Sequence, residues 1–435
     1  MIRFANAFIL YPLLEKFGHR DVRTKLQEIK RFERLTADEK DAFRKKKLFD
    51  ILSHSRKNIP YYKDLFEKVS FDESSILKDI RHIEKLPVLT KNDVRENGDR
   101  MRMPNAHHVR KTGGSTGQSV FFYYDNDGLD WAAALNLWAY ELAGNYLYRS
   151  DCHIASELEF PPLQGRDRAL DFLKLSAQNR KRIMIRSFSD HDMDATFSQL
   201  KKYRPYLIQG HPSTGYAIAN YIRAKDLPKK SYCKVFEPSG EMLTDKMAEA
   251  ISEYLGCKVV NRYGNAEFGV MAHSRPQDTY KKLQVFNSSF HIEDVEKGPI
   301  VVSGFTNYAF PLFRYDTGDI ASVRREGEDT FIHEIQGRIH DLVRIEDEDY
   351  ATHFIMDYLD HKIRGIREFQ ILVRDEKPPL LNIVPENDGD KDRIRTALKQ
   401  RWPKGLDIDF IPYGELQTVG WRQKFRHVID QRKNK

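Results

Sequence analysis

A segment rich in glycine, serine and threonine, Lys111-Thr112-Gly113-Gly114-Ser115-Thr116-Gly117-Gln118-Ser119, is the sharpest local feature of the sequence. Glycines let the backbone approach a phosphate closely, and main-chain N–H groups and hydroxyls supply hydrogen-bond donors. The segment is not a Walker loop, because its spacing differs and Gln118 stands where a lysine would be needed. Taken alone, it predicts either a phosphate-binding loop or an ordinary turn.

Four further groups of polar residues follow this loop along the chain. They are Tyr263-Gly264-Asn265-Ala266-Glu267, Arg314-Tyr315-Asp316-Thr317-Gly318-Asp319, Gly337-Arg338 and Lys424-Phe425-Arg426. The five groups, in this order and spacing, resemble the adenylate-forming superfamily, which includes acyl-CoA synthetases, adenylation domains of peptide synthetases and luciferase. Two early stretches, from His54 to Tyr62 and from Leu86 to Lys91, resemble the phenylacetate–CoA ligase branch and more closely its CapK-like relatives of capsular polysaccharide biosynthesis.

The resemblance implies which residues hold the phosphates and ribose of ATP. Ser115, Thr116 and Gly117 would hold the β- and γ-phosphates. Asp319 would accept hydrogen bonds from both ribose hydroxyls, since a carboxylate has two oxygens suited to a vicinal diol. Arg338 would lie near the ribose and phosphate, where its guanidinium offers a fixed fork of donors.

The adenine contacts are implied in the same way. The main chain of Ser239-Gly240-Glu241 would lie against the base, and Asn261 would hydrogen-bond its amino group. Tyr263, followed in the nucleotide-binding motif by Gly264, would stack on the adenine ring. His211 follows a strand end where the acyl pocket lies in this fold, so it is either a substrate contact or an ordinary loop residue.

Two residues are expected to carry the chemistry. Glu267 matches the family's magnesium ligand, a hard oxygen donor for a cation that bridges phosphates. Lys424 matches the lysine that bridges the acid's carboxylate and the α-phosphate, offsetting the charge that keeps two anions apart. Because Lys424 lies on the small domain, adenylation requires that domain to close as a lid, with the hinge at His340.

Three departures from the family pattern bear on the acceptor. Ala266 replaces the usual Thr or Ser, and His340 replaces the customary Asp or Lys. The glycine-rich continuation that often lines the CoA tunnel is replaced by the acidic run from Arg344 to Asp349, which would repel the phosphates of CoA. We therefore expect an amine or amino-sugar acceptor, free or on a separate protein, and keep CoA as the alternative.

The elements that must position these residues are predicted from periodicity. Charged helices occupy about residues 20–100, and strands alternate with helices from about 110 to 320. Strands near 369–373, 380–384 and 407–411 surround a helix near 390–401. This predicts an α/β fold: a large N-terminal domain, residues 1–336, with central sheets and flanking helices, and a small C-terminal α+β lid, residues 337–435.

Bulk properties limit the class of protein. The 435 residues include 71 basic and 64 acidic side chains without a dense basic stretch, which argues against a dedicated nucleic-acid binder. Cys152, Cys233 and Cys257 form no disulfide framework or metal pair, and indicate a reducing cytoplasm. The apolar stretch from Phe4 to Phe17 is too short to span a bilayer and predicts a core helix, with peripheral membrane contact as the alternative.

Three functions therefore remain open. The first is an AMP-forming ligase that uses ATP and Mg to join a carboxylic or amino acid to an amine, in surface or capsular polysaccharide biosynthesis. The second is an acyl-CoA ligase for an aryl or related acid. The third is a non-catalytic binding protein, against which Glu267, Asp319, Arg338 and Lys424 count together. A homodimer is expected from related enzymes.

Overall fold

A computed structural model of the chain describes residues 2–111, 120–146, 148–156, 164–185, 190–275, 277–335, 342–346, 348–351, 355, 358–359, 363–419 and 424–432. Within these ranges, no helix combines the length and apolar character needed to cross a membrane. The predicted phosphate loop and the predicted domain boundary at residues 336–337 lie outside the described residues.

Two helix ends show clear capping interactions. Thr90 and Asp93 form a reciprocal capping box at one N-terminus, and Gly256 ends another helix in the left-handed conformation, with φ +59°. The α-helices are α1 Ile2–Ala5, α2 Tyr11–Phe17, α3 Val22–Glu33, α4 Ala37–Asn58, α5 Pro60–Lys68, α6 Lys91–Met101, α7 Asn126–Leu142, α8 Gly165–Ala177, α9 Asp190–Tyr203, α10 Pro212–Ala224, α11 Asp245–Leu255 and α12 Lys391–Arg401. A π-helical turn, Asn6–Leu10, joins α1 to α2.

The strands form several separate sheets. They are β1 His108–Lys111, β2 Phe121–Tyr124, β3 Asp151–Ser156, β4 Arg180–Ile185, β5 Leu207–Gly210, β6 Val235–Pro238, β7 Lys258–Val259, β8 Arg262–Asn265, β9 Gly269–Ser274, β10 Leu283–Val285, β11 Phe290–Ile292, β12 Val295–Gly304, β13 Tyr315–Glu326, β14 Asp329–His333, β15 Leu342–Ile345, β16 Glu348–Ala351, β17 Ile366–Val373, β18 Leu380–Pro385, β19 Asp407–Phe410, β20 Thr418–Val419, β21 Lys424–Phe425 and β22 Val428–Asp430. The predicted α/β class with central sheets is confirmed.

The alternating part of the chain builds a five-stranded parallel sheet in the order β4-β3-β5-β6-β7. Its central strand β5 is buried along its whole length, as expected where helices cover both faces. Helices α9, α10 and α11 separate its strands in the chain, and their apolar residues pack with Ile208 and Phe236 in one core. The carboxyl ends of β5 and β6 meet at one edge of this sheet.

The next sheet departs from the predicted alternation. Seven strands pair in the order β11-β12-β13-β14-β10-β9-β8, every pair antiparallel, and no helix separates them in the described part of residues 262–333. The expectation of strand–helix alternation up to residue 320 was therefore wrong beyond β7. A large core of aromatic side chains, including Phe290, Phe310 and Tyr315, joins this sheet to α4, α5 and α7.

The C-terminal strands form a four-stranded mixed sheet in the order β19-β18-β17-β22. Together with α12 it encloses a separate apolar cluster that includes Ile371, Ile383 and Leu398. This is the small α+β unit expected from the sequence. It contacts the parallel-sheet region where the Tyr216 hydroxyl of α10 donates to the Arg367 carbonyl at 2.9 Å.

The prediction of a core helix for the N-terminal stretch was wrong. Residues 2–17 are helical, but Phe8 is 66% exposed and Phe17 79%. Among the described side chains of this segment, the buried ones are polar, Asn6 and Glu15, and Leu10, Tyr11, Pro12 and Leu14 are half-buried. The apolar pattern therefore describes an outward face of the molecule.

Candidate active site

The predicted phosphate loop connects the two strands of a hairpin. Strands β1 and β2 pair antiparallel with Lys111 opposite Phe121, so the residues that flank the predicted loop are neighbours. Ser115, Thr116 and Gly117 lie in this interval, outside the described residues. Arg110, just before it, lies 4.4 Å from the Tyr124 ring centroid, and its guanidinium is a cation that sequence reasoning missed.

Beside this hairpin, the turn between β8 and β9 carries the motif that ends at Glu267. A Cβ at Gly264 would lie only 2.4 Å from the Gly269 carbonyl oxygen, so the backbones approach too closely for any other residue. The Asn265 side chain accepts a hydrogen bond from the Phe268 N–H at 3.0 Å and closes the turn. Glu267 is thereby fixed at the turn and lines a cleft with Tyr124, Thr306 and Asn307.

The third motif occupies the start of β13. The Asp316 side chain accepts a hydrogen bond from the Gly318 N–H at 2.8 Å, and Gly318 has φ +73°, a conformation that favours glycine. The Thr317 hydroxyl accepts one from the Asp319 N–H at 3.2 Å. This tight local geometry fixes the backbone at Asp319, whose carboxylate is half-buried.

Two buried tyrosine hydroxyls join these motifs across the sheet. The Tyr263 hydroxyl donates to Asp319 Oδ2 at 2.8 Å, and the Tyr315 hydroxyl donates to Glu267 Oε1 at 3.2 Å. Burial and the neighbouring Asp319 carboxylate raise the pKa of Tyr263 well above its usual value, so this phenol stays protonated and remains a donor. Hydrogen bonds between residues about fifty positions apart in the sequence therefore hold two carboxylates near Tyr263.

The predicted adenine side lies on the carboxyl end of β6. Gly240 is exposed with φ +82°, and the Ser239 carbonyl accepts a hydrogen bond from His211 Nδ1 at 2.9 Å. Glu241 Oε2 accepts from the Ser213 N–H at 3.2 Å, which places a carboxylate at the N-terminus of α10. His211 is thus held in one orientation, with its Nδ1 hydrogen directed at a carbonyl.

Asn261 lies between the parallel sheet and β8. Its Oδ1 accepts a hydrogen bond from the Arg262 N–H at 2.9 Å, and its own N–H donates to the Ser274 hydroxyl at 3.0 Å. A carbonyl oxygen has two lone pairs, so Oδ1 retains the capacity to accept from an amino group. The predicted adenine contact is compatible with this geometry.

A buried polar cluster beneath these residues was missed by sequence reasoning. Glu237, with its side chain fully buried at the end of β6, lies 3.1 Å from His273 Nε2 and 3.6 Å from Arg262 Nη1. Burial raises the pKa of Glu237, but Arg262 and His273 outweigh it, and the net shift is downward. Arg262 also donates to Asn136 Oδ1 at 2.8 Å. The only sequence signal was a charged residue inside a strand pattern.

The cluster continues into the neighbouring strands. Asp151 pairs with Arg180 at 2.6 Å, both almost fully enclosed. Burial and the surrounding Arg180, Arg182, His211 and Arg262 lower the pKa of His153 to about 3. His153 is therefore neutral at physiological pH inside a positively charged surrounding, the kind of field that favours an anion.

The donor set at Glu267 fits Mg²⁺. Magnesium is usually held by one or two carboxylates together with substrate phosphates and water, not by a cage of protein ligands. Glu267 supplies one carboxylate beside the phosphate-loop hairpin. Groups of three or more His, Cys, Asp or Glu suited to a metal do not occur among the described residues.

Three predicted residues are not located with their side chains. Arg338 and the hinge residue His340 lie outside the described residues. The backbone of Lys424 lies in β21, where it pairs with Val419 of β20. Their roles stay predictions.

Known proteins resemble this chain in sequence and in fold. No family model matches the sequence. Protein CapK of Staphylococcus aureus is 23% identical over 398 residues, covering 86% of each chain. A 2-hydroxyisobutyryl-CoA ligase in the postadenylation state, in complex with R3-HIB-AMP, superposes with a TM-score of 0.72 at 20% identity, over 91% of this chain and 90% of that one. The chain therefore has the fold of these ligases, as the resemblance to the adenylate-forming enzymes predicts, and its similarity to CapK extends over most of both chains.

Two further superpositions show the range of the fold. The same ligase in its thioesterification state, with 2-HIB-AMP and CoA, gives a lower TM-score of 0.57 at 19% identity, over 92% of this chain and 91% of that one. The amide bond synthetase McbA from Marinactinospora thermotolerans gives 0.50 at 14% identity, over 74% of this chain and 68% of that one.

Proposed function

We propose that this protein is an AMP-forming ligase that uses ATP and Mg²⁺ to activate a carboxylic or amino acid as its acyl-AMP. The observation that carries the proposal is the pair of tyrosine links, Tyr263 to Asp319 and Tyr315 to Glu267. They hold a carboxylate suited to a ribose diol and a carboxylate suited to magnesium, both close enough to Tyr263 to act on its hydroxyl electrostatically. A non-catalytic scaffold would need neither carboxylate.

The proposed reaction joins the acid to the AMP part of ATP. An oxygen of the acid's carboxylate attacks the α-phosphorus of ATP, and the bond to pyrophosphate breaks. Magnesium, when bound, would neutralise charge on the phosphates, with Glu267 as its protein ligand. Asp319 would hold the ribose, and Asn261 and the main chain of residues 239–241 would hold adenine. Lys424, with Arg338 near the phosphates, would offset the charge of the two approaching anions.

The surroundings of His211 support a polar acid. His211 follows β5, where the acyl pocket of this fold is expected, and both His211 and Arg262 of β8 act electrostatically on His153 of β3. Arg262 in turn donates to Asn136 of α7. Polar side chains in these surroundings favour a ligand that can hydrogen-bond to them over an aryl or fatty acid. A small acid that bears a hydroxyl, amino or second carboxyl group is such a ligand.

For the acceptor, an amine or amino sugar is our first choice, in surface or capsular polysaccharide synthesis in the cytoplasm. The hairpin of β15 and β16 carries Glu346, Glu348 and Asp349, and such a run repels the phosphates of CoA. Acyl-CoA synthesis is the second candidate, because the ligase with the same fold over nine-tenths of the chain carries CoA in one of its structures. A homodimer stays a prediction.

The test is ATP-dependent hydroxamate formation with magnesium, hydroxylamine and a panel of hydroxy, amino, dicarboxylic, aryl and fatty acids. We expect pyrophosphate release and a trapped hydroxamate for a small polar acid. The substitution Lys424→Ala is expected to lower this rate by about 100- to 1000-fold while ATP binding is retained, since one such electrostatic group contributes about 2.7–4 kcal/mol. Absence of ATP binding by the wild-type protein would overturn the proposal.

The acceptor is distinguished in the same assay without hydroxylamine. AMP release in the presence of the acid is compared with glucosamine-type amines and with CoA. Stimulation by the amines supports the first candidate, and stimulation by CoA supports the second. An equal rate for Lys424→Ala and wild type would remove Lys424 from the mechanism.

A further inference from the structure

Exposed apolar side chains are concentrated on two neighbouring helical segments. Among the described residues, fourteen large hydrophobic side chains are exposed, and eight of them lie here. We call these eight the apolar face: Phe4, Phe8, Ile9, Leu13, Phe17, Leu170, Phe172 and Leu173. The segments touch where the Asn6 amide donates to the Ser176 carbonyl at 2.8 Å.

The N-terminal segment has the reverse of the usual polarity for a surface helix. Its buried positions are Asn6, which bonds to α8, and Glu15, which accepts a hydrogen bond from the Arg23 N–H at 2.9 Å. Its outward positions are aromatic and aliphatic, with Phe8 66% and Phe17 79% exposed. An ordinary surface helix buries its apolar stripe, so this one is built to meet an apolar environment outside the protein.

The π-helical turn keeps the apolar stripe continuous. Phe4 and Phe8 are four residues apart, as are Leu13 and Phe17, but Phe8 and Leu13 are five apart. The turn Asn6–Leu10 lies where this extra residue occurs, and a π turn accommodates one more residue than an α turn. Without it, the two halves of the stripe would point in different directions.

The charges around the apolar face are mostly positive. Lys16, Arg166, Arg168 and Lys174 are exposed on the same two segments. Asp167 is the exposed acid among the described residues of these segments, while Asp171 pairs with Arg182 at 3.0 Å. Phenylalanine and leucine beside lysine and arginine are typical of helices that lie in the interface of a membrane with anionic lipid.

We propose that the apolar face docks the protein on the surface of an anionic phospholipid membrane. The aromatic and aliphatic side chains enter the boundary between headgroups and acyl chains, and the basic side chains contact lipid phosphates. The helices lie in the plane of the interface, consistent with the lack of a spanning helix among the described residues. A second copy of the chain is the competing occupant, and the basic rim disfavours it because two such rims would repel.

The experiment is flotation of the full-length protein with vesicles of phosphatidylcholine, or of phosphatidylcholine with phosphatidylglycerol at three to one. We expect binding to the anionic vesicles that weakens as salt is raised. F8E/F172E is expected to weaken it more than tenfold, because burying a phenylalanine contributes about 1.5–3 kcal/mol and about 1.4 kcal/mol is tenfold in affinity. K16Q/K174Q is expected to weaken it about 30-fold, at about 1 kcal/mol per basic residue.

The matched control is Leu77→Glu, which places the same charge at an apolar residue that is 46% exposed outside the apolar face. It should bind vesicles as the wild type does, and the unfolding midpoints of all variants should agree. Absence of binding to anionic vesicles, or binding unchanged in F8E/F172E, would overturn the proposal. So would a lipid-independent dimer in sedimentation that F8E/F172E abolishes, which would assign the face to a second copy.

Discussion

Two regions place charge in different ways. One is the nucleotide site proposed on the seven-stranded sheet, with Glu267 and Asp319, and the other is the polar cluster at the end of the parallel sheet. At the first, Glu267 and Asp319 each accept a hydrogen bond from a buried tyrosine. At the second, Glu237 is enclosed with Arg262 and His273, and Asp151 with Arg180. In the proposed nucleotide site the carboxylates would serve a ligand. In the polar cluster, acidic and basic side chains pair with one another.

This difference has an energetic consequence. A buried ion pair costs most when one partner is removed, because the other charge is left without compensation. Losing the hydrogen bond between a tyrosine hydroxyl and Glu267 or Asp319 costs less, about 1.5–3 kcal/mol. Substitutions in the polar cluster should therefore act first on stability, and those of Glu267 and Asp319 first on activity.

The largest effect on stability is expected from Arg262→Met. Glu237 would keep its contact with His273 but lose its guanidinium partner, and removing one member of a buried pair costs about 3–5 kcal/mol. The midpoint of thermal unfolding should fall accordingly. The control Arg324→Met removes an arginine that is 64% exposed and 3.7 Å from Glu296, and should change the midpoint little. Equal midpoints for the two variants would contradict the assigned difference.

Glu267→Gln tests the opposite side of the comparison. An amide keeps the size of the side chain but loses the charge that attracts magnesium, so we expect adenylation to slow by about 100-fold or more. The unfolding midpoint should stay near that of the wild type. Hydroxamate formation as a function of magnesium concentration measures the effect, with Glu296→Gln on the same sheet as control. A wild-type rate and magnesium dependence would exclude Glu267 as the ligand.

The sequence predicted one of these regions and missed the other for physical reasons. Tyr263, Glu267 and Asp319 belong to short motifs in which turn residues and functional residues are neighbours in the chain. The cluster of Glu237 and Arg262 is assembled from strands that meet only in the folded protein. No local pattern distinguishes its residues from solvated charges.

The fold shows the same division. Strands β17, β18 and β19 were predicted near their observed positions, because short apolar runs separated by turn residues and a helix have a clear pattern. The antiparallel order of β8 to β14 was missed, since alternation of elements in the chain does not specify which strands pair. For the helix at residues 2–17, periodicity identified an apolar stripe but not whether it faces inward.

Asp319→Ala is expected to act on nucleotide affinity. A hydrogen bond to a charged group contributes about 1.5–3 kcal/mol, so loss of the ribose contacts should weaken ATP binding by about 10- to 100-fold. Titration of the protein with ATP by calorimetry measures it. The adenylation rate at saturating ATP should fall less than the affinity, which separates this variant from Glu267→Gln. An unchanged ATP affinity would remove Asp319 from the nucleotide site.

The smallest effect is expected from Tyr263→Phe, and it sharpens the comparison most. The ring would still fill its buried position, and the hydrogen bonds of the hydroxyl to Asp319 Oδ2 and Thr317 Oγ1 would be lost. A hydrogen bond to a charged group contributes about 1.5–3 kcal/mol, of which only the part that orients the carboxylate affects the nucleotide. If the hydroxyl orients the carboxylate for ribose, ATP affinity should fall by up to about tenfold in Tyr263→Phe but not further in Asp319→Ala/Tyr263→Phe than in Asp319→Ala. Such non-additivity reports that the two side chains act together. Additive losses in affinity would instead mean that the Tyr263 hydroxyl acts on the nucleotide independently of Asp319.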